Sequence, residues 1–237
     1  MQNIRPGAER GKTETFWLDS RHSFSFAQYH DSRHMGFGPL RVINEDVVLP
    51  EKGFGMHGHS NMEIITYVMS GALEHKDSLG GGGIIRPGDV QLMSAGKGIL
   101  HSELNPSDAE NVHLLQIWIM PDASGTETRP SYQQQSFAPE QLRNRLQLVA
   151  APEGEAEGVL KIRQDARLYV ARLEAGQSVS FAKKTRRKYW LQVAAGSVGL
   201  DGAALDAGDG IGFENEEGKA TITAQEPAEV ILFDMTP

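Results

Sequence analysis

The 237-residue chain has no cysteine, which excludes disulfides, thiolate zinc and iron-sulfur sites, and a cysteine nucleophile. Histidine, carboxylate and water remain as the good metal ligands. Long hydrophobic runs are also missing: no stretch approaches the roughly 18 apolar residues needed to span a bilayer. The opening MQNIRPGAERGKTETF lacks the apolar core of a signal peptide, so a soluble, cytoplasmic protein without membrane partners is expected. Basic residues are in deficit, 23 against 31 acidic, for a formal charge of −8; such a surface repels nucleic acid, and none is expected as a partner. Only 7% of residues are aromatic, but the 39% that are hydrophobic suit one long or two short globular domains.

Helical periodicity is scarce and turn residues are plentiful. The 26 glycines and 11 prolines are scattered along the chain, the habit of many short strands joined by tight turns. Nine β-type runs can be read: 41–49, 62–69, 90–93, 114–120, 168–173, 179–181, 189–193, 220–223 and 230–233. In 189–193 the odd positions should face a core, and in 90–92 the even ones. One short helix is expected from Pro139 to Leu146, with Pro139 placed as an N1 proline. It follows a polar Pro-, Ser- and Gln-rich stretch, and 121–150 reads as the connection between two β domains.

Those domains follow one plan. Strand, glycine turn, strand, then a Gly-Asp turn occurs around Gly71 and Gly88-Asp89, and again around Gly196 and Gly208-Asp209. Alignment on the glycine turns sets His57, His59 and Glu63 against Ala182, Lys184 and Lys188. Alignment on the Gly-Asp turns sets His101 and Glu103 against Thr221 and Thr223. All eight histidines, His22, His30, His34, His57, His59, His75, His101 and His113, lie in the first copy, which should therefore carry any imidazole chemistry.

The chemistry concentrates in two segments. In Gly53-Phe-Gly-Met-His57-Gly-His59, two histidines at strand spacing point the same way, with Cα atoms roughly 6.5 Å apart. His101-Ser-Glu103 repeats the spacing. Two such strands converging inside a barrel would supply three neutral nitrogens from His57, His59 and His101 and one carboxylate oxygen from Glu103, leaving open positions on an octahedral metal. Glu63 could be a ligand, a partner orienting an imidazole or a strand-end charge, the second being favoured. His75 is expected to be a solvated or turn histidine and His113 a structural one. His22, His30 and His34 are expected in a strand and loop packed on the barrel. Gly80 to Gly83 lacks the Lys-Ser/Thr pair of a phosphate loop, and the basic run Lys183 to Lys188 reads as a solvated strand end.

The segments His22-Ser-Phe-Ser-Phe-Ala-Gln-Tyr29, Gly36-Phe-Gly-Pro-Leu-Arg-Val-Ile-Asn44, Met62-Glu-Ile-Ile-Thr-Tyr67, His75-Lys-Asp-Ser78, Gly88-Asp-Val-Gln91, Ala95-Gly-Lys-Gly98, His101-Ser-Glu103 and Gln116-Ile-Trp118 together resemble the pirin family of the cupin superfamily, in its bacterial quercetinase-like branch. The resemblance covers most of the first 137 residues. It implies an all-β bicupin of two face-to-face antiparallel β-barrels: an N-terminal metal-bearing barrel (1–135), a linker with a short helix (136–150) and a degenerate, metal-free barrel (151–237). The ligand set it implies is again His57, His59, His101 and Glu103, around a mononuclear divalent metal, Fe(II) first, with Mn, Co, Ni, Cu and Zn as alternatives. The chain departs from the general cupin pattern in having one residue fewer between His59 and Glu63, which favours Glu103 over Glu63 as ligand, and in having Gly96 where a proline is usual.

The activity implied is a quercetin 2,3-dioxygenase reaction, cleaving a flavonol with dioxygen and releasing carbon monoxide. Glu103 would be the catalytic base, and Phe54, Met56 and Met93 apolar neighbours of the flat substrate. A different class is an iron-dependent regulatory module that binds a transcription factor or a metabolic enzyme; a third is a zinc-dependent cupin sugar isomerase. A monomer is expected.

Overall fold

A computed structural model describes residues 2–237, and strands dominate it. All nine predicted runs are strands, with ends shifted by a few residues at most. The run 41–49, for example, is the strand Leu40–Val48, and 189–193 lies within Lys188–Ala195. The helix is shorter than its sequence suggests, a single turn at Pro139–Leu142 with the Ala138 N–H donating to the Gln141 side chain. Arg143 is already extended and Asn144 adopts φ +53°, so the chain turns before the apolar pattern can continue. Among the described residues, no helix is long and apolar enough to cross a membrane.

The chain forms two compact units that do not run as consecutive blocks. The leading unit comprises Gly11–Phe137 with Leu160–Gln164; the trailing unit comprises residues 2–10 with Ala138–Val159 and Asp165–Pro237. The strand Gln2–Arg5 pairs with Gly210–Glu214 inside the trailing unit. The stretch 121–150 is less of a connection than its composition implies. Ser131–Ser136 is an edge strand of the leading unit, paired with Asp89–Ser94, and its Gln-rich sequence carries no apolar alternation to announce it.

Internal repetition is exact at the level of topology. In the leading unit the larger sheet contains, in spatial order, Asp89–Ser94, Glu63–Ser70, Val112–Ile119 and Leu40–Val48. In the trailing unit Gly210–Glu214, Lys188–Ala195, Ala228–Met235 and Ala166–Leu173 take the same order. The smaller sheets match as well: Gly53–His59, Ile99–Leu104, Leu73–Asp77 and Gly82–Ile85 against Ser178–Lys183, Gly218–Ala224, Ser197–Leu200 and Ala203–Asp206. The turn glycines Gly71 and Gly196 have φ of +76° and +73°, and a Cβ on either would lie 2.5 Å or less from a neighbouring backbone carbonyl oxygen, which is why both copies keep glycine there.

The residue-level alignment of the copies needs correction. Thr221 pairs with Ser180 on the exposed face, their hydroxyls 2.9 Å apart. The inward residues of those strands are Val179, Ala220, Ile222 and Ala224, part of one continuous apolar core. A shift of one residue exchanges the faces of a strand, and a gapless count could not resolve it. The alternation read in 189–193 also goes further than expected: Tyr189, Leu191 and Val193 join that core, but Trp190 and Gln192 are buried on the other face too. The basic run is not simply solvated. Lys183 is buried, with Nζ 2.8 Å from both Asp201 and Glu216, and Arg187 binds Asp165 and Asp234, each at 2.6 Å.

Candidate functional site

The leading unit buries far more polar groups than the trailing one, among them His22, Asn44, Asp46, Thr66, His75, His101, Glu103 and Gln116. Such burial is costly without partners, so their arrangement is informative. The strand Ile99–Leu104 is central: Gly53–His59 pairs on one side and Leu73–Asp77 on the other. His101 stands opposite His57 and Asp77, and Glu103 opposite Phe54 and His75. Between these two positions the partner strand advances three residues, from His57 to Phe54, so Gly53–His59 carries a one-residue bulge. Period two alone would send Phe54 outward; the bulge returns it to the face of His57 and His59. Met56 is turned out and 60% exposed. Of the three expected apolar neighbours, Phe54 lines the cavity beside the histidines, whereas Met93 packs with Ile64, Ala95 and Ile99.

The structure brings His57, His59 and His101 together, each offering a nitrogen within 4.8 Å of the others. Hydrogen bonding sets which nitrogens are free. His57 Nδ1 lies 2.7 Å from the Gly55 carbonyl oxygen, which can only accept, so Nδ1 carries the proton and Nε2 a lone pair. At the other end Asp77 Oδ2 lies 3.3 Å from His75 Nε2, and His75 Nδ1 lies 3.4 Å from His101 Nδ1. An ionised Asp77 draws the His75 proton to Nε2, leaving His75 Nδ1 as acceptor for a proton on His101 Nδ1. His101 Nε2 is then a lone pair as well, and it faces His57 Nε2 at 3.0 Å. Two opposed lone pairs repel unless a cation lies at their common focus, so this donor set fits a metal ion.

The electrostatics agree. Burial, then the neighbouring imidazoles, pushes His101 down to about 3, and burial with His57 brings His59 down to about 4. Both are therefore neutral, the form that ligates. Burial also lowers His75, against the pull of Asp77. Glu103 is wholly buried between strands; Thr66 Oγ1 donates to its Oε1 at 3.1 Å and Gln116 Nε2 to its Oε2. Burial, with a contribution from the charge of Asp46, raises it to about 7. Its nearest potential ligand neighbours are His75 and His101.

Glu63 is not aimed at an imidazole, as the sequence suggested. It accepts from Ser94 Oγ at 2.8 Å and from the Arg163 N–H at 3.1 Å, which ties the strand 160–162 region to the sheet; burial raises its pKa. His75, expected in solvent, is fully buried and stacked 4.7 Å from the Tyr132 ring. His113 bonds Glu45 Oε1 at 2.8 Å.

A cavity of about 250 Å³ opens beside the three histidines, just below the usual range of roughly 300–1,000 Å³ for small-ligand sites. Phe26, Phe54, Ile64 and Trp118 give it apolar walls. Trp118 meets His59 edge-on at 4.9 Å and Phe26 at 5.4 Å.

Residues 4–119 match the Pirin family, and residues 148–235 match the quercetinase C-terminal cupin domain. The chain is 45% identical over 238 residues to quercetin 2,3-dioxygenase of Escherichia coli strain K12, covering 100% of both. The chain belongs to the pirin family. A pirin-like protein of Caulobacter vibrioides is 41% identical, covering 99% of each chain. The crystal structure of the bacterial pirin YhhW from Escherichia coli, in complex with nickel(II), aligns with a TM-score of 0.93 at 43% identity over 100% of each chain.

This pirin also contains cavity residues that the sequence reading passed over. Asn44 and Asp46 follow Val42 at core-facing positions of the strand Leu40–Val48, and Ser20 and His22 follow Leu18 in the strand Leu18–His22. Pairing sets His22 beside Asn44, Asn44 beside Gln116, and Ser20 beside Asp46. All five line the cavity. The available signal was polar side chains at inward positions of an alternating strand, a pattern that is costly unless used.

Proposed function

We propose that this pirin is a metal-dependent dioxygenase that cleaves flavonols such as quercetin with dioxygen, by the quercetin 2,3-dioxygenase reaction. The observation that carries the proposal is the convergence of His57, His59 and His101, with His57 Nε2 and His101 Nε2 face to face at 3.0 Å, at the edge of an apolar cavity. His57, His59 and His101 would hold a mononuclear divalent ion with Glu103 as fourth ligand, Fe(II) being the proposed native metal. An ion held there would supply Lewis-acid and redox chemistry for a reaction of an ionised phenol with dioxygen. The names of the relatives and the quercetinase match of the second half support the reading.

The protein's own groups do the remaining work. Phe54, Phe26 and Trp118 exclude water and admit a flat aromatic ring. Glu103, placed by Thr66 and Gln116, takes the substrate's enol proton on a carboxylate oxygen, exchanging one of those hydrogen bonds for it. The trailing unit, filled by its apolar core, takes no part in ligation. The reaction is assigned to the cytoplasm.

The test is elemental analysis of protein purified without added metal, together with aerobic turnover of quercetin followed by its visible absorbance. His57→Ala and His101→Ala should each lose metal and rate with the fold intact, and Glu103→Gln should lose rate. Full metal occupancy without a rate on any flavonol would overturn the enzymatic reading and leave the regulatory one.

A further inference from the structure

The cavity is lined by further polar groups besides the triad. Asp46 is 2% exposed, and its single side-chain bond comes from Ser20 Oγ, which donates to Oδ1. Gln116 gives its Nε2 to Glu103, and its Oε1 is buried with no partner. Both residues line the same cavity as the histidines. Their neighbours do not compensate. His22 Nδ1 donates to Asn44 Oδ1 at 2.7 Å, and Thr13 Oγ1 donates to His22 Nε2 at 2.8 Å, so both ring nitrogens of His22 are engaged and neither reaches Asp46 or Gln116. Two acceptors in this lining receive no protein donor: the buried amide oxygen of Gln116 and the second carboxylate oxygen of Asp46. A buried acceptor left unpaired is costly, and a ligand that donates relieves the cost.

Accordingly, we propose that Asp46 and Gln116 form a hydroxyl-accepting subsite, which binds a phenolic O–H of the substrate other than the oxygen presented to the histidines and so selects polyhydroxylated flavonols over sparsely hydroxylated ones. The proposal rests on the flavonol reading of the site and deepens it. A phenolic O–H can donate to the Gln116 amide oxygen, which only accepts, and to Asp46 in its ionised form. The position of the Asp46 carboxyl, its proton affinity raised to about 7 by burial, is consistent with a group that gains from an added donor.

The experiment is anaerobic equilibrium binding to the metal-loaded protein, read by quenching of tryptophan fluorescence. Quercetin is compared with kaempferol, galangin and fisetin, each of which lacks one or more of its ring hydroxyls, on the wild type and on Asp46→Asn. At least one missing hydroxyl should weaken binding to the wild type roughly 10- to 100-fold, the effect of leaving a buried acceptor unpaired. In Asp46→Asn, quercetin should weaken and that same discrimination should shrink several-fold. The comparison within the wild type needs no variant and stands if Asp46→Asn fails to fold. Equal affinity of the wild type for all four flavonols overturns the subsite, as does an unchanged discrimination in Asp46→Asn. Discrimination without aerobic turnover keeps the subsite and overturns the dioxygenase reading; binding of no flavonol overturns both.

Discussion

His75 offers the sharpest test of the metal centre, because it stands behind His101, outside the His57, His59 and His101 triad, and bears on the tautomer of His101. In His75→Phe the ring can still stack on Tyr132, 4.7 Å away in the wild type, but the acceptor 3.4 Å from His101 Nδ1 is lost. Without metal, His101 can move its proton to Nε2 and donate to His57 Nε2 across the 3.0 Å gap, so the metal-free protein loses little. Metal binding reverses that choice and leaves a buried N–H at Nδ1 with no acceptor, a cost of about 1–3 kcal/mol. This corresponds to an affinity loss of roughly 10- to 100-fold, the size expected when a group behind a ligating histidine is removed. The assay is a chelator-competition titration with nickel(II), paired with thermal melts of metal-free and loaded protein. His75→Gln, whose amide oxygen can accept from Nδ1, should recover most of the affinity. The reasoning fails if His75→Phe binds nickel(II) within about threefold of wild type, or if its metal-free melting point falls as far as that of the loaded protein.

Asp46→Asn should change the pH dependence of metal-free stability. Burial raises Asp46 from 3.8 to about 7, so the folded state holds a proton that the unfolded chain releases, and wild-type stability falls as pH rises through that window. Asparagine has no such slope. Relative to wild type, the variant should gain stability with rising pH, by at most about 4 kcal/mol at pH 8, and no gain should remain near pH 4; a difference in melting temperature that is flat with pH refutes this. His59 and His101, lowered to about 4 and 3, act in the opposite sense, so His101→Phe should reduce the loss of metal-free stability on acidification below pH 6.5, as measured by denaturant titration. Gly53→Ala would place a Cβ 2.2 Å from the Glu103 carbonyl oxygen and 2.7 Å from Leu104 Cα at φ +156°. It should destabilise by more than about 1 kcal/mol and weaken nickel(II) binding, whereas an unchanged melting point and affinity would contradict the packing. Lys183→Met leaves Asp201 and Glu216 without their shared cation, and should cost about 1–3 kcal/mol in chemical denaturation with metal binding unaltered.

Much of this pirin was determined by residue pattern alone. Alternating apolar residues set the nine strands, because burying one face of a pleated ribbon demands period two. His57-x-His59 and His101-x-Glu103 could be paired for the same reason, and the repeat around Gly71 and Gly196 was visible because a left-handed turn needs glycine in both copies. What period two cannot supply is the lateral partner of each strand, since pairing is made between residues far apart in the chain. The bulge that turns Phe54 inward, the burial of His75 against His101 and Tyr132, and the meeting of Asp46 with Ser20 and of Asn44 with Gln116 all depend on that lateral order. So does the tautomer of His101, which is set through His75 by the Asp77 carboxylate on the neighbouring strand and not by anything in the His101-Ser-Glu103 segment itself. Side-chain type and spacing decided that a metal could be held here; the register of neighbouring strands decided which nitrogens face it and which acceptors wait across the cavity.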